Sequence, residues 1–190
     1  MLGFVQSETG TVCQSPRADE AARRLAARIF GPDTTNRIVV VPDLMQGAMM
    51  LPGGLIALDY GVLQGADDPA AAAGFILAGM AHEPSENPME RMLDSAGLSA
   101  TFRLLTTGDV PVDVLRQSAM TALNDPAPID PARLRRVLAD AQISQAPYLA
   151  AVDGRTGSMP DLGADPLADR ALPLILNDSD WVALQNVCNA

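Results

Sequence analysis

Pro69-Ala70-Ala71-Ala72-Ala73-Gly74-Phe75-Ile76-Leu77-Ala78-Gly79-Met80-Ala81 decides the architecture, because it is apolar almost all round rather than along one stripe. A helix of that kind belongs in the centre of a fold, with other elements packed on every side. Pro69 suits the first helical turn and Pro84 stops the segment, so the spacing predicts a buried central helix over residues 69–81.

Upstream the period changes. Ile38-Val39-Val40-Val41 is β-branched throughout and reads as a well-buried strand, and Leu55-Ile56-Ala57-Leu58 reads as a second. Between them Gln46-Gly47 turns the chain, residues 48–51 extend, and Pro52-Gly53-Gly54 bends it back, which suggests a small, partly antiparallel sheet. Before the strands, Ala18, Ala21, Ala22, Leu25 and Ile29 recur at helical spacing until Gly31-Pro32. Residues 1–15 are polar and read as a loosely held arm.

The C-terminal half is mostly helical in pattern. Short helices are expected over residues 87–93, 98–105 and 112–123, and Asp130-Pro131 is a cap-and-first-turn pair opening another with Leu134, Val137 and Leu138 on one face. The Gly-rich residues 153–165 read as a loop. Asp178-Ser179-Asp180 opens a terminal helix whose Trp181, the only tryptophan, reads as a packing anchor. Together these give an α+β fold: a small sheet on a central apolar helix, in one domain spanning residues 1–190.

The composition sets limits on function. The chain has 190 residues, 48% hydrophobic but only 4% aromatic, and a net charge of -10. All its basic residues are arginine. That balance argues against nucleic acid or an anionic membrane surface as the main partner. No run of apolar residues is long enough to span a bilayer, and the first residues lack the basic and apolar regions of a signal peptide. Cys13 and Cys188 stand near opposite ends of the chain. They read either as a disulfide in an oxidising compartment or as two free thiols in a cytosolic protein.

Chemical machinery is sparse. With one histidine, His82, every imidazole-dependent triad would route through a single residue, and neither a G-x-S-x-G elbow nor a Lys-bearing phosphate loop is present. A helix-borne zinc site needs two imidazoles four residues apart. Four residues beyond His82 stands Glu86, with Pro84 inside the intervening turn. The pairs Asp67/Asp68 and Asp165/Asp169 fall in loops and helix starts, where aspartate commonly caps.

The order of features nevertheless resembles a known family. Met50-Leu51-Pro52-Gly53-Gly54-Leu55-Ile56-Ala57-Leu58-Asp59-Tyr60-Gly61-Val62-Leu63, then Ala66-Asp67-Asp68-Pro69, then Ala72-Ala73-Gly74-Phe75-Ile76-Leu77-Ala78-Gly79 is similar to the core of the M48 (Ste24-type) zinc metallopeptidases. There a strand and Gly-Gly turn precede an apolar strand, an acidic linker and the helix carrying the H-E-x-x-H motif. The likeness covers residues 18–95, continuing into Pro88-Met89-Glu90-Arg91-Met92-Leu93. It implies a zincin-like fold and a peptidase ancestry.

By position, the first zinc histidine of the family falls on Gly79, the catalytic glutamate on Met80 and the second histidine on Glu83. Sliding the frame by three residues places a His-Glu pair on His82 and Glu83 but leaves Glu86 where the second histidine belongs. The third ligand, a glutamate in an E-x-x-x-D pattern, is not carried over to Asp165-Pro166-Leu167-Ala168-Asp169. The resemblance therefore implies a domain that has lost its metal site, with no catalytic residues and no cofactor, acting structurally or through a polypeptide partner. An active zinc metalloendopeptidase with atypical ligands around His82, Glu83 and Glu86 is the alternative. Because many members of the family are exported or membrane-held, it also implies a periplasmic or envelope location, which favours the Cys13–Cys188 bond; the cytoplasm is the alternative.

Overall fold

The computed structural model of the chain describes residues 10–51, 53–81 and 128–189. The helices expected over residues 87–93, 98–105 and 112–123, and the candidate site residues His82, Glu83 and Glu86, lie outside them.

Helix α1, Pro16–Phe30, begins where Ser15 Oγ accepts the Ala18 N–H at 3.3 Å and Pro16 occupies the first turn. It buries Ala18, Ala21, Ala22, Leu25 and Ala26, a thin face that lets its neighbours approach closely. Gly31 ends it with φ 97°.

Three strands follow: β1 (Arg37–Val41), β2 (Ala48–Leu51) and β3 (Leu55–Asp59). The sheet order is β1-β3-β2, with β1 parallel and β2 antiparallel to β3, so Val41 lies opposite Asp59 and Leu51 opposite Leu55. The sheet is therefore mixed, in keeping with the partly antiparallel expectation. Central β3 is buried at four of its five positions, which explains its unbroken apolar run where a strand with one wet face would alternate. Gly53 and Gly54 make the β2–β3 turn at φ 82° and 74°, a region that favours glycine.

Two helices leave the sheet: the short α2 (Tyr60–Gly65) and α3 (Pro69–Ala78). Asp68 caps α3 by accepting the Ala70 N–H at 2.8 Å, and every residue from Ala70 to Ala78 is buried. That is the expected central helix, though it ends three residues sooner than its apolar run.

The remaining described helices are α4 (Pro131–Asp140), α5 (Gln145–Thr156) and α6 (Asp178–Gln185), followed by a 3-10 turn over Val187–Asn189. Asp130 caps α4 through the Ala132 and Arg133 N–H groups, as the Asp130-Pro131 pair predicts. Residues 153–156, expected to open a loop, instead complete α5, because the chain first reaches a left-handed stop at Gly157, φ 67°. Residues 158–165 are irregular.

The main hydrophobic cluster joins α1, one face of the sheet, α2, α3, α4, Tyr148 of α5 and α6. A smaller cluster of Val41, Leu44, Met49, Leu51 and Ala57 covers the other face. Trp181 is buried in the main cluster where α6 crosses α1, consistent with a packing anchor. Beside it Arg24 donates to both carboxylate oxygens of Asp180, and that hydrogen bond holds the guanidinium above its ordinary range. Arg28, lowered by burial, donates to the Ala141, Gln142 and Leu174 carbonyls and ties α1 to the end of α4. No helix among the described residues is long and apolar enough to cross a membrane.

Candidate functional site

The positions aligned with the metal motif begin where α3 ends. Gly79 is its C-cap at φ -60° and ψ -18°. Beyond it the Met80 N–H donates to Leu77 O and the Ala81 N–H to Ala78 O, both at 3.0 Å, so the chain tightens into bonds spanning three residues. The Ala81 carbonyl then accepts the Asp130 N–H at 2.9 Å, joining this turn to the approach to α4. The α-helical span thus stops one residue before the first aligned position.

The immediate surroundings give zinc little to hold. Glycine offers no donor, and a Cβ placed on Gly79 would meet Ile76 O at 3.3 Å, Met50 Cγ at 3.6 Å and Ala48 O at 3.8 Å. A side chain there would start out toward β2. Met80, 36% exposed, carries a neutral thioether, a weak donor beside the thiolate, imidazole and carboxylate groups that hold zinc and no base toward water. Residues Gly79 and Met80 do not fit the metal centre of the family. Among the described residues, no group of three or more His, Cys, Asp or Glu side chains is placed to hold a metal ion.

One member of each aspartate pair, Asp68 and Asp165, has a structural occupation. Asp68 caps α3. Asp165 accepts from Ser144 Oγ at 2.7 Å, from Gln145 N at 3.1 Å and from Leu167 N at 2.9 Å, which places a carboxylate at the N-terminus of α5. Gln145 itself is buried and donates from Nε2 to Gly163 O at 2.7 Å, pinning the loop after α5 back onto its start.

A buried polar constellation that the sequence reading did not single out lies at the C-terminal end of β3. Asp59, its side chain 5% exposed, places Oδ2 2.7 Å from Nη1 of Arg155 in the last turn of α5. Its Oδ1 accepts the Leu44 N–H at 3.0 Å. Arg155 Nη2 reaches the Leu44 and Met45 carbonyls at 3.4 Å, and its guanidinium carbon lies 5.8 Å from the centre of the Phe75 ring. Phe75 in turn meets Tyr148 edge to face, with ring centres 5.2 Å apart, and burial pushes the Tyr148 phenol upward. Gly47, at φ 80°, accommodates Phe75 because any Cβ there would fall 2.4 Å from the ring.

Chemically this group is a clamp. Each carboxylate oxygen and each terminal guanidinium nitrogen makes at least one of these contacts, so the pair is fixed in place between the loop, the strand and the helix. It fastens the residue 42–47 loop and α5 to the end of the sheet. One signal for it exists in the sequence: Asp59 closes an otherwise apolar strand, and a charge in that place calls for a partner.

Cys13 and Cys188 form a disulfide with Cα atoms 4.9 Å apart, closing 175 residues of chain. Around it, Tyr60 Oη donates to Gln185 O at 2.9 Å and accepts from Gln64 Nε2 at 3.0 Å and Asn189 Nδ2 at 2.7 Å, which seats the C-terminal turn on α2.

No protein-family model matches the chain, and no curated protein matches it.

Proposed function

We propose that the chain is a non-catalytic, zincin-like domain of the M48 metallopeptidase type, acting as a disulfide-closed structural or polypeptide-binding module in the bacterial cell envelope. The observation that carries this reading is the end of α3. The family's metal motif needs an uninterrupted helix to bring two ligands four residues apart onto one face, and here the α-helical span ends at Ala78, with Gly79 and Met80 in the turn beyond. A small mixed sheet beside a buried central helix is compatible with the scaffold such a domain would keep for binding. The Cys13–Cys188 bond supports an oxidising compartment, since such bonds are rare in the cytosol.

The reading is tested by folding the protein in the presence of zinc, removing loose metal, and measuring zinc per chain beside hydrolysis of a mixed peptide substrate. No stoichiometric zinc and no cleavage are expected. One tightly held zinc per chain that disappears in the His82→Ala variant overturns the reading and installs the active peptidase with His82, Glu83 and Glu86. Pull-down of extended peptides from a displayed library, lost on reduction and unfolding, is the expected positive result for the binding role.

A further inference from the structure

The two stretches of chain joined by the Cys13–Cys188 bond are held to the rest of the molecule very unequally. On the N-terminal side, the Cys13 N–H donates to Val40 O at 2.9 Å in an isolated antiparallel bridge. Among the described residues this is the one hydrogen bond that residues 10–14 make. Val12 and Cys13 are only partly buried, and Thr11 and Gln14 are exposed. Ser15 then caps α1 with its own side chain, so the helix starts without help from the residues before it.

On the C-terminal side the holds are many. Trp181, Leu184 and Val187 are buried in the main cluster. Arg24 grips Asp180 through both carboxylate oxygens. Gln185 Nε2 donates to Leu63 O at 3.1 Å and to Ala66 O at 3.2 Å, and Asn189 Nδ2 donates to Tyr60 Oη at 2.7 Å. None of these contacts passes through a sulfur atom, so each persists when the bond to Cys13 opens. Both cysteines are half-buried rather than sealed in the core, which leaves the bond within reach of a small reductant.

We propose that the Cys13–Cys188 bond is a redox latch on residues 10–14: its reduction releases this segment from β1 and uncovers Val40 O, while residues 178–189 stay seated. With the bond closed, Cys13 is tethered to a fixed partner and one hydrogen bond suffices to keep it on β1. With the bond open, that hydrogen bond and a partly buried valine do not offset the backbone entropy of ordering residues 10–14. The reductant is a dithiol. One of its thiolates attacks one sulfur of the pair, the Cys13–Cys188 bond breaks and a mixed disulfide forms. The second thiolate closes on the reductant's own sulfur and expels the remaining cysteine thiolate. Two electrons pass to the protein, the dithiol becomes a cyclic disulfide, and its two protons end on Cys13 and Cys188. The dithiol poise of the surroundings thereby sets whether the outer edge of β1 is covered at Val40.

The experiment follows amide hydrogen exchange, residue by residue, in the full-length protein when oxidised, when reduced with a small-molecule dithiol, and when re-oxidised with a small-molecule disulfide. On reduction the Cys13 amide is expected to exchange about a hundredfold faster or more, while the Trp181 and Asn186 amides, which donate to Asn177 O and Val182 O, change by less than about threefold. Re-oxidation is expected to restore the slow Cys13 amide. Cys188→Ser without reductant is expected to show the same contrast, which separates loss of the bond from any other action of the dithiol. A Cys13 amide that stays slow in the reduced protein or in Cys188→Ser overturns the proposal, because the bridge then holds without the bond. Equal loss of protection at Cys13, Trp181 and Asn186 also overturns it, because the bond then supports both ends alike. So does a Cys13 amide that stays fast after re-oxidation.

Discussion

Arg155, in the last turn of α5, and Asp59, at the final position of β3, meet with Nη1 2.7 Å from Oδ2 although they belong to different layers of the fold. Gly61 makes room for the pair: a Cβ at that position would lie 2.8 Å from Asp59 Oδ2 and 3.0 Å from Arg155 Nη1. The carboxylate also holds the Leu44 N–H, so one side chain organises the end of the sheet, the following loop and α5.

Removing one partner is therefore expected to cost more than removing both. Arg155→Met leaves a carboxylate in a setting 5% exposed and should lower stability by about 3 kcal/mol. The double variant Asp59→Asn with Arg155→Met keeps an acceptor for Leu44 N and should recover more than half of that loss. Urea unfolding of the two single variants and the double variant measures the coupling; strictly additive losses would contradict it.

Two helical glycines are expected to respond to alanine with opposite sign. In α5, a Cβ on Gly154 meets nothing within 4 Å, so Gly154→Ala should stabilise by about 0.5–1 kcal/mol through helix propensity. In α3, a Cβ on Gly74 would fall 2.5 Å from Tyr148 Cβ, so Gly74→Ala should destabilise by about 1–3 kcal/mol as α3 and α5 are forced apart. Thermal unfolding of both variants gives the comparison.

Burial raises the Tyr148 phenol above its ordinary value of 10.0. The folded protein then holds this proton more tightly than the unfolded chain does. The stability linked to it is complete below pH 10.0 and falls as pH rises from there through the folded-state value. Tyr148→Phe keeps the ring contact with Phe75 and should flatten the alkaline limb of a stability-against-pH curve. An unchanged slope in that variant would remove Tyr148 from the account.

The Cys13–Cys188 bond closes 175 residues, for which chain entropy gives about 5 kcal/mol as an upper figure. Replacing both cysteines by serine is expected to cost about 2–5 kcal/mol. Unreduced protein made under oxidising conditions should show no added mass after alkylation, and reduced protein should gain two adducts.

Local chemistry explains what was legible before the fold was known. The Asp68-Pro69 and Asp130-Pro131 starts, the Gly31 stop and the β-branched run of β1 each depend on a few neighbouring residues, and the structure places elements at all of them. Trp181 was legible for the same reason, since a lone large ring on a terminal helix has little use but packing. The end of α3 was not: apolarity continues through Ala81, and the helix stops at Ala78, where Ala81 O turns to Asp130 N, a partner far along the chain.

The sequence by itself determined the α+β class, the central apolar helix and the starts of α3, α4 and α6, because capping and periodicity act within a turn or two of chain. Only the tertiary structure decided that β1 pairs parallel to β3, that Arg155 answers Asp59, that Gly74 is a contact surface for Tyr148, and that Cys13 bridges to Val40 of β1. Each of those joins segments distant in sequence, and their partners are selected by how buried faces and charges come together in space rather than by any spacing along the chain.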